Sequence, residues 1–107
     1  MNKERRKAIA IVITMVEQIV NTLEEAEGGM LDHLISDCED LENEEQEYFD
    51  NMPESIQSGE KGQAAAQAVQ WLADARAAAE QARDSFQEAL ENLQDEVVGL
   101  LESAAEG

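Results

Sequence analysis

Apolar residues in the first half of the chain recur at steps of three, four and seven positions, the period of an amphipathic helix. They are Ile9, Ile13, Val16, Val20, Leu23, Met30, Leu34, Cys38, Leu41 and Tyr48. The second half carries an apolar stripe of the same period at Ala65, Ala68, Leu72, Ala75, Ala79, Ala82, Phe86, Leu90, Leu93, Val97, Leu100 and Ala104. The pattern predicts two long helices, at about residues 3–50 and 63–104, in a single domain.

Residues 51–62 separate the two stripes and form the predicted connector. Asn51 and Glu54 have the spacing of a capping box, and Pro53 suits the first turn of a helix. Gly59 and Gly62 then interrupt the pattern. We therefore expect a short helical turn at Pro53–Gln57 inside the connection between the helices.

Folding the chain about this connector brings apolar residues opposite apolar residues. Ile13 then faces Leu100, and Val20 faces Leu93. The predicted fold is all-α: a long antiparallel helical hairpin of the coiled-coil type.

Two arginines lie on the inner side of this predicted hairpin. The pairing places Arg76 opposite Asp37 and Arg83 near Glu27. We expect these side chains to fix the register of the helices rather than to bind a ligand.

The glycine pair Gly28-Gly29 conflicts with a long first helix, since each Gly costs about 1 kcal/mol relative to Ala. The stripe keeps its phase from Leu23 to Met30, which favours a continuous or kinked helix. The alternative is a break, which would divide the first helix in two and give a three-helix bundle.

The N-terminal helix is apolar over a wider arc than one facing helix covers. Val97–Leu101 is equally rich in apolar residues, and the hairpin brings it alongside. This excess predicts self-association, most simply a two-fold homodimer with four helices. The candidate dimer contacts are Ile9, Val12, Val16, Ile19, Val98 and Leu101.

The charge is strongly one-sided, with 25 acidic against 7 basic residues and a net charge of -18 in 107 residues. Solubility alone needs a magnitude of only about 2–8. Between Ala8 and Glu60 there is no Lys or Arg, and eight carboxylates fall within the 14 residues from Asp37 to Asp50. The candidate partner-binding acidic face is Glu39, Asp40, Glu42, Glu44, Glu45, Glu47 and Asp50.

Residues with catalytic chemistry are sparse. His33 is expected to be a solvated side chain, and Cys38 to pack in the apolar stripe. Asp37-Cys38-Glu39-Asp40 resembles the start of a calcium loop, but Leu41 replaces a ligand and no Gly follows. We predict no enzymatic activity, no metal site and no cofactor. The aromatic residues Trp71, Tyr48 and Phe49 are expected to meet near the connector, where they plug the turn of the hairpin or, alternatively, form a recognition cluster.

The segment from Met1 to Met15 is basic and then apolar, but it lacks a clear cleavage site and is too short to span a membrane. A single Cys excludes an intramolecular disulfide. These features predict a cytoplasmic protein without a membrane partner.

The connector resembles a known group of proteins. The segment from Glu44 to Gly62, EEQEYFDNMPESIQSGEKG, is similar to a stretch of small acidic helical accessory proteins of tailed phages and prophages. Their pattern is an aromatic, Asp-Asn, a hydrophobe, Pro-Glu-Ser, a hydrophobe, Gln, and Glu-Lys/Arg-Gly. The resemblance implies a viral origin, an accessory role and a bacterial host, and it assigns no activity.

Two functions follow from the charge. The first is a coiled-coil interaction or assembly protein with an acidic solvent face. The second is a DNA mimic that inhibits a host nuclease or defence enzyme, since eight carboxylates over about 20 Å approach the spacing of duplex DNA, one charge per about 1.7 Å. Either way the expected partners are a second copy and a basic, nucleic-acid-binding host protein. Direct binding to nucleic acid is not expected.

Overall fold

The computed structural model describes residues 2–107, and every regular element among them is helical. The α-helices are α1 (Lys3–Glu27), α2 (Met30–Asp50), α3 (Glu54–Gln57), α4 (Glu60–Glu91) and α5 (Val98–Glu106). A π-helical segment, Asn92–Val97, joins α4 to α5. No helix in this part of the chain has the length and apolar character needed to cross a membrane.

The contacts within the chain divide it into two compact units. Unit 1 comprises residues 2–28 and 84–107, and unit 2 comprises residues 29–83. In unit 1, α1 packs against α5 and the π-helical segment. The direction is antiparallel, because Arg6 Nε near the start of α1 donates to the carbonyl oxygen of Ala105 near the end of α5, at 3.0 Å. The buried side chains of this unit are Val16, Val20 and Leu90.

Unit 2 is a hairpin of α2, the connector and the first part of α4. Ile35, Ala65 and Ala79 are its buried apolar residues. The small side chains on α4 let the two helices approach closely. The predicted all-α antiparallel helical hairpin is therefore confirmed: unit 2 is such a hairpin, and unit 1 is an antiparallel helix pair.

The connector contains the predicted helical turn, which is α3. Gln57 Nε2 donates to the carbonyl oxygen of Phe49 at 2.9 Å and ties α3 to the end of α2. Gly62 is buried, and a Cβ atom there would collide with the backbone of Gln57, so α4 can start against α3 only with glycine. The predicted capping box is wrong, because Pro53 is the N-cap residue and no side chain caps α3.

The first helix is interrupted at Gly28-Gly29, so of the predicted continuous or kinked helix the continuous form is wrong. The helix ends at Glu27, Gly28 and Gly29 adopt left-handed backbone with φ of 52° and 83°, and α2 begins at Met30. Residues with a Cβ atom disfavour this conformation, which is why two glycines stand here.

The interruption also moves the apolar stripe by one position. In α2 the residues turned towards α4 are Leu31, Ile35, Cys38, Glu42, Glu45 and Phe49, all buried or half-buried. The predicted stripe residues Met30, Leu34, Leu41 and Tyr48 are exposed instead.

The π-helical segment causes a second shift of the same kind. A π-turn holds an extra residue, so the face turned inward moves by one position after Asn92–Val97. Leu101 and Ala105 are half-buried, whereas the predicted Leu100 and Ala104 are exposed. In both halves of the chain the predicted period is correct, and beyond each interruption most inward residues lie one position further along than predicted, with Cys38 inward as predicted.

Both arginines form ion pairs with α2 in unit 2, and the partner of Arg76 lies five residues further along α2 than predicted. Arg76 Nε lies 2.8 Å from Glu42 Oε2, not at Asp37. Arg83 Nη1 lies 3.2 Å from Asp32 Oδ1. Side chains in a helix lean towards its N-terminus. In an antiparallel pair the side chains of the two helices tilt in opposite directions. Two charged groups therefore meet when their Cα atoms are offset along the helix axis.

Candidate functional site

The candidate acidic face lies on α2 in unit 2, but its seven carboxylates do not share one surface. Glu42 and Glu45 point towards α4 and are half-buried. The exposed members are Glu39, Asp40, Glu44, Glu47 and Asp50. The sequence placed all seven on a single binding surface, whereas the helix divides them between an internal and an external role.

Glu42 belongs to the internal group. Its side chain is only 20% exposed and accepts the hydrogen bond from Arg76 Nε, while Arg76 Nη1 lies 3.1 Å from Glu80 Oε1. The hydrogen bonds to Glu42 and then to Glu80 raise the pKa of Arg76 above its ordinary value. Arg76 therefore links α2 to α4 and fixes their register, as predicted for its role.

The outward side of α2 carries a row of four carboxylates, which we call the acidic row: Asp37, Asp40, Glu44 and Glu47. Their spacings of three, four and three residues keep them on one side of a helix with 3.6 residues per turn. The row is about 15 Å long, and all four side chains are exposed.

Most of the acidic row has no ion-pair partner among the described residues. Asp37 Oδ2 lies 3.1 Å from His33 Nδ1, with both side chains largely exposed. Asp40, Glu44 and Glu47 make no ion pair with any residue among 2–107. These charges are therefore available to an external partner.

A second row lies beside the acidic one on α2. Leu34, Leu41 and Tyr48 are 48%, 51% and 48% exposed and follow one another at seven-residue spacing. At about 100° per residue these positions fall on one side of the helix, between the inward face and the acidic row. We call Leu34, Leu41 and Tyr48 the apolar row. The sequence placed these residues in the core because the change of phase at Gly28-Gly29 was not anticipated.

The aromatic residues predicted to plug the turn of the hairpin are not buried together. Trp71 is 66% exposed on α4 and Tyr48 is exposed on α2, while Phe49 alone is half-buried. Trp71 and Tyr48 therefore leave aromatic surface open on unit 2. Exposed aromatic side chains of this kind are enriched at the centres of protein interfaces.

The predicted dimer contacts all lie in unit 1, with different exposures. Val16 is buried, and Ile9, Val98 and Leu101 are half-buried. Val12 and Ile19 are 41% and 42% exposed. Part of the predicted dimer surface is therefore already covered within the unit.

The remaining reactive side chains do not assemble into a site for chemistry. Within residues 2–107 no three His, Cys, Asp or Glu side chains are grouped so that they could hold a metal ion. Cys38 is half-buried in the stripe that faces α4, where it packs as predicted. What unit 2 exposes is a surface composed of the acidic row and the apolar row.

We compared the chain with protein-family models, curated proteins and solved structures, and none of these matches it.

Proposed function

We propose that the chain is an acidic helical protein-binding module, and that the acidic and apolar rows of α2 together form its binding surface. The observation that carries this proposal is their adjacency: exposed Leu41 and Tyr48 lie beside the unpaired carboxylates Asp40, Glu44 and Glu47. A surface of this composition fits a basic amphipathic helix, whose apolar side meets one row and whose Lys and Arg meet the other.

The partner we propose is a basic, nucleic-acid-binding protein of a bacterial host. A net charge of -18 steers such proteins towards the chain over a distance of about 10 Å at moderate salt. The resemblance of residues 44–62 to small accessory proteins of tailed phages supports a viral accessory role in the host cytoplasm. The function that we propose is binding and includes no catalytic step.

The test is capture from a bacterial lysate, followed by affinity measurements with the purified partner. Charge reversal by Asp40→Lys, Glu44→Lys and Glu47→Lys is expected to weaken binding roughly a hundredfold or more, since each exposed pair contributes about 0.2–1 kcal/mol and reversal adds repulsion. Helicity should be unchanged because these side chains face solvent.

The matched control carries the same change in charge in unit 1, at the exposed residues Glu88, Glu91 and Glu102. It should bind nearly as well as the wild type. Equal loss in both variants would mean that binding depends on overall charge and not on the surface of α2, which would contradict the proposal.

DNA mimicry is the second candidate, and the acidic row favours it. Its carboxylates are about 5 Å apart, compared with about 3.4 Å between phosphates along one DNA strand. Competition with DNA distinguishes the two functions. DNA should displace a mimic from its partner, and the affinity of a mimic for that partner should fall steeply as the salt concentration rises. The outside of DNA has no counterpart to the apolar row. The exposed apolar row therefore favours the protein-binding module over the DNA mimic.

A further inference from the structure

The outer face of α1 in unit 1 is apolar and uncovered. Ile11, Met15 and Ile19 are 67%, 53% and 42% exposed and follow one another at four-residue spacing. Two shallow depressions lie along the same face and share Met15 and Gln18. Side chains of a facing helix fit depressions of this kind in helix–helix contacts.

The charges at the two ends of α1 oppose the helix dipole. The N-terminal turns carry Lys3, Arg5, Arg6 and Lys7 against the single acid Glu4, and the last turn carries Glu24 and Glu25 with no basic residue. The N-terminus of a helix favours negative charge and the C-terminus favours positive charge. Within α1 both ends are therefore electrostatically unfavourable.

An antiparallel copy of the same helix would place opposite charges beside both ends of α1 and so compensate the unfavourable charges there. We propose that α1 packs antiparallel against α1 of a second copy of this chain, about a two-fold axis at Met15. Ile11 then lies opposite Ile19 of the second copy. Lys7 lies beside Glu25 of the second copy, and each basic end meets an acidic end.

The occupant is a second copy because the face is complementary to itself. The apolar residues are distributed evenly on either side of Met15, and the opposite charges lie at similar distances beyond them. The dimer contact differs from that predicted from the sequence, since Val16, Val98 and Leu101 are partly covered within unit 1. The proposal concerns unit 1 alone, so its failure leaves the function proposed for unit 2 untouched.

Cysteine cross-linking tests the geometry. In a Cys38→Ser background, Met15→Cys places two thiols next to each other at the axis, where an oxidised dimer should form readily. Thr22→Cys lies on the same face but roughly 20 Å from its own copy in the antiparallel arrangement, and should not cross-link. Efficient cross-linking at both positions would indicate parallel helices and overturn the proposal.

Light scattering on the full chain gives the second test. The wild type should be a dimer at micromolar concentration, and Met15→Glu should weaken it roughly a hundredfold, because two carboxylates would meet at the axis. Leu34→Glu, an equally exposed change in unit 2, should leave the dimer intact. A monomeric wild type, or a Met15→Glu variant that dimerises normally, would overturn the proposal.

Charge exchange separates this contact from a loss of folding. Lys7→Glu should weaken the dimer roughly threefold to tenfold, and adding Glu25→Lys should restore it, because two symmetry-related ion pairs are exchanged. These residues are far apart within one copy of α1, so an internal ion pair cannot produce the rescue. A double variant weaker than the single one would contradict the antiparallel contact.

Discussion

Arg76 and Arg83 show what the identity of a residue predicts and what it leaves open. Both were expected to fix the register of the helices, and both form ion pairs between α2 and α4. The partner of Arg76 was assigned five residues too early because the pairing compared Cα positions alone. The lean of each side chain towards the N-terminus of its helix accounts for the offset.

The ion pair of Arg76 should stabilise unit 2 more than that of Arg83. Glu42 is 20% exposed whereas Asp32 is 69% exposed, and water screens the second pair more strongly. We predict that Arg76→Gln lowers the thermal midpoint by more than Arg83→Gln does. Circular dichroism melting of the two variants would contradict this assignment if the order were reversed.

At the scale of the helices, the period of the sequence predicts the elements and their pairing, but two interruptions decide which residues face inward. Gly28-Gly29 shifts the stripe in α2, and the π-helical segment shifts it in α5. After a shift of one residue, Ile35 faces inward in place of Leu34, and Leu101 faces inward in place of Leu100. Periodicity does not predict such shifts, since each alternative face also carries apolar residues at helical spacing, and in α2 the inward face includes Glu42 and Glu45 as well.

The two interrupting glycines should respond to substitution differently from a glycine inside a helix. Gly28→Ala and Gly29→Ala should each lower the free energy of unfolding by about 1 kcal/mol, because alanine disfavours left-handed backbone. Gly99→Ala is the matched control: it lies in α5, and a Cβ atom there meets nothing within 4 Å. We expect it to stabilise the protein by about 0.5–1 kcal/mol. Chemical denaturation measures all three, and stabilisation by Gly28→Ala would indicate a continuous helix.

At the scale of the molecule, the net charge of -18 dominates. The acidic character of the candidate surface was predictable from this charge, because no arrangement of seven basic residues neutralises 25 acidic ones. The apolar row was not predictable, since its exposure depends on the change of phase at Gly28-Gly29. The candidate site was therefore half identified from the sequence, by its acidic residues.

Mild acid should stabilise the fold. Protonation of carboxylates removes repulsion that destabilises the compact state, so the thermal midpoint should rise between about pH 7 and about pH 5. Arg76 does not contribute to this change. Its pKa is raised in the folded state, so its stabilisation is complete below the unfolded pKa and lost only as pH rises through the folded pKa. A midpoint that falls steadily with acid would contradict the dominance of repulsion.

The claim that α2 binds protein through both rows is tested most directly by removing the apolar row and leaving every charge in place. We predict that the double variant Leu41→Ala, Tyr48→Ala binds the captured partner roughly tenfold to a hundredfold more weakly. The reason is that each interface side chain of this size contributes about 1 kcal/mol or more to binding. Both side chains are about half exposed, so folding should be preserved. Titration calorimetry at fixed salt measures the affinity. An unchanged dissociation constant would mean that the partner recognises charge alone, and would contradict the account.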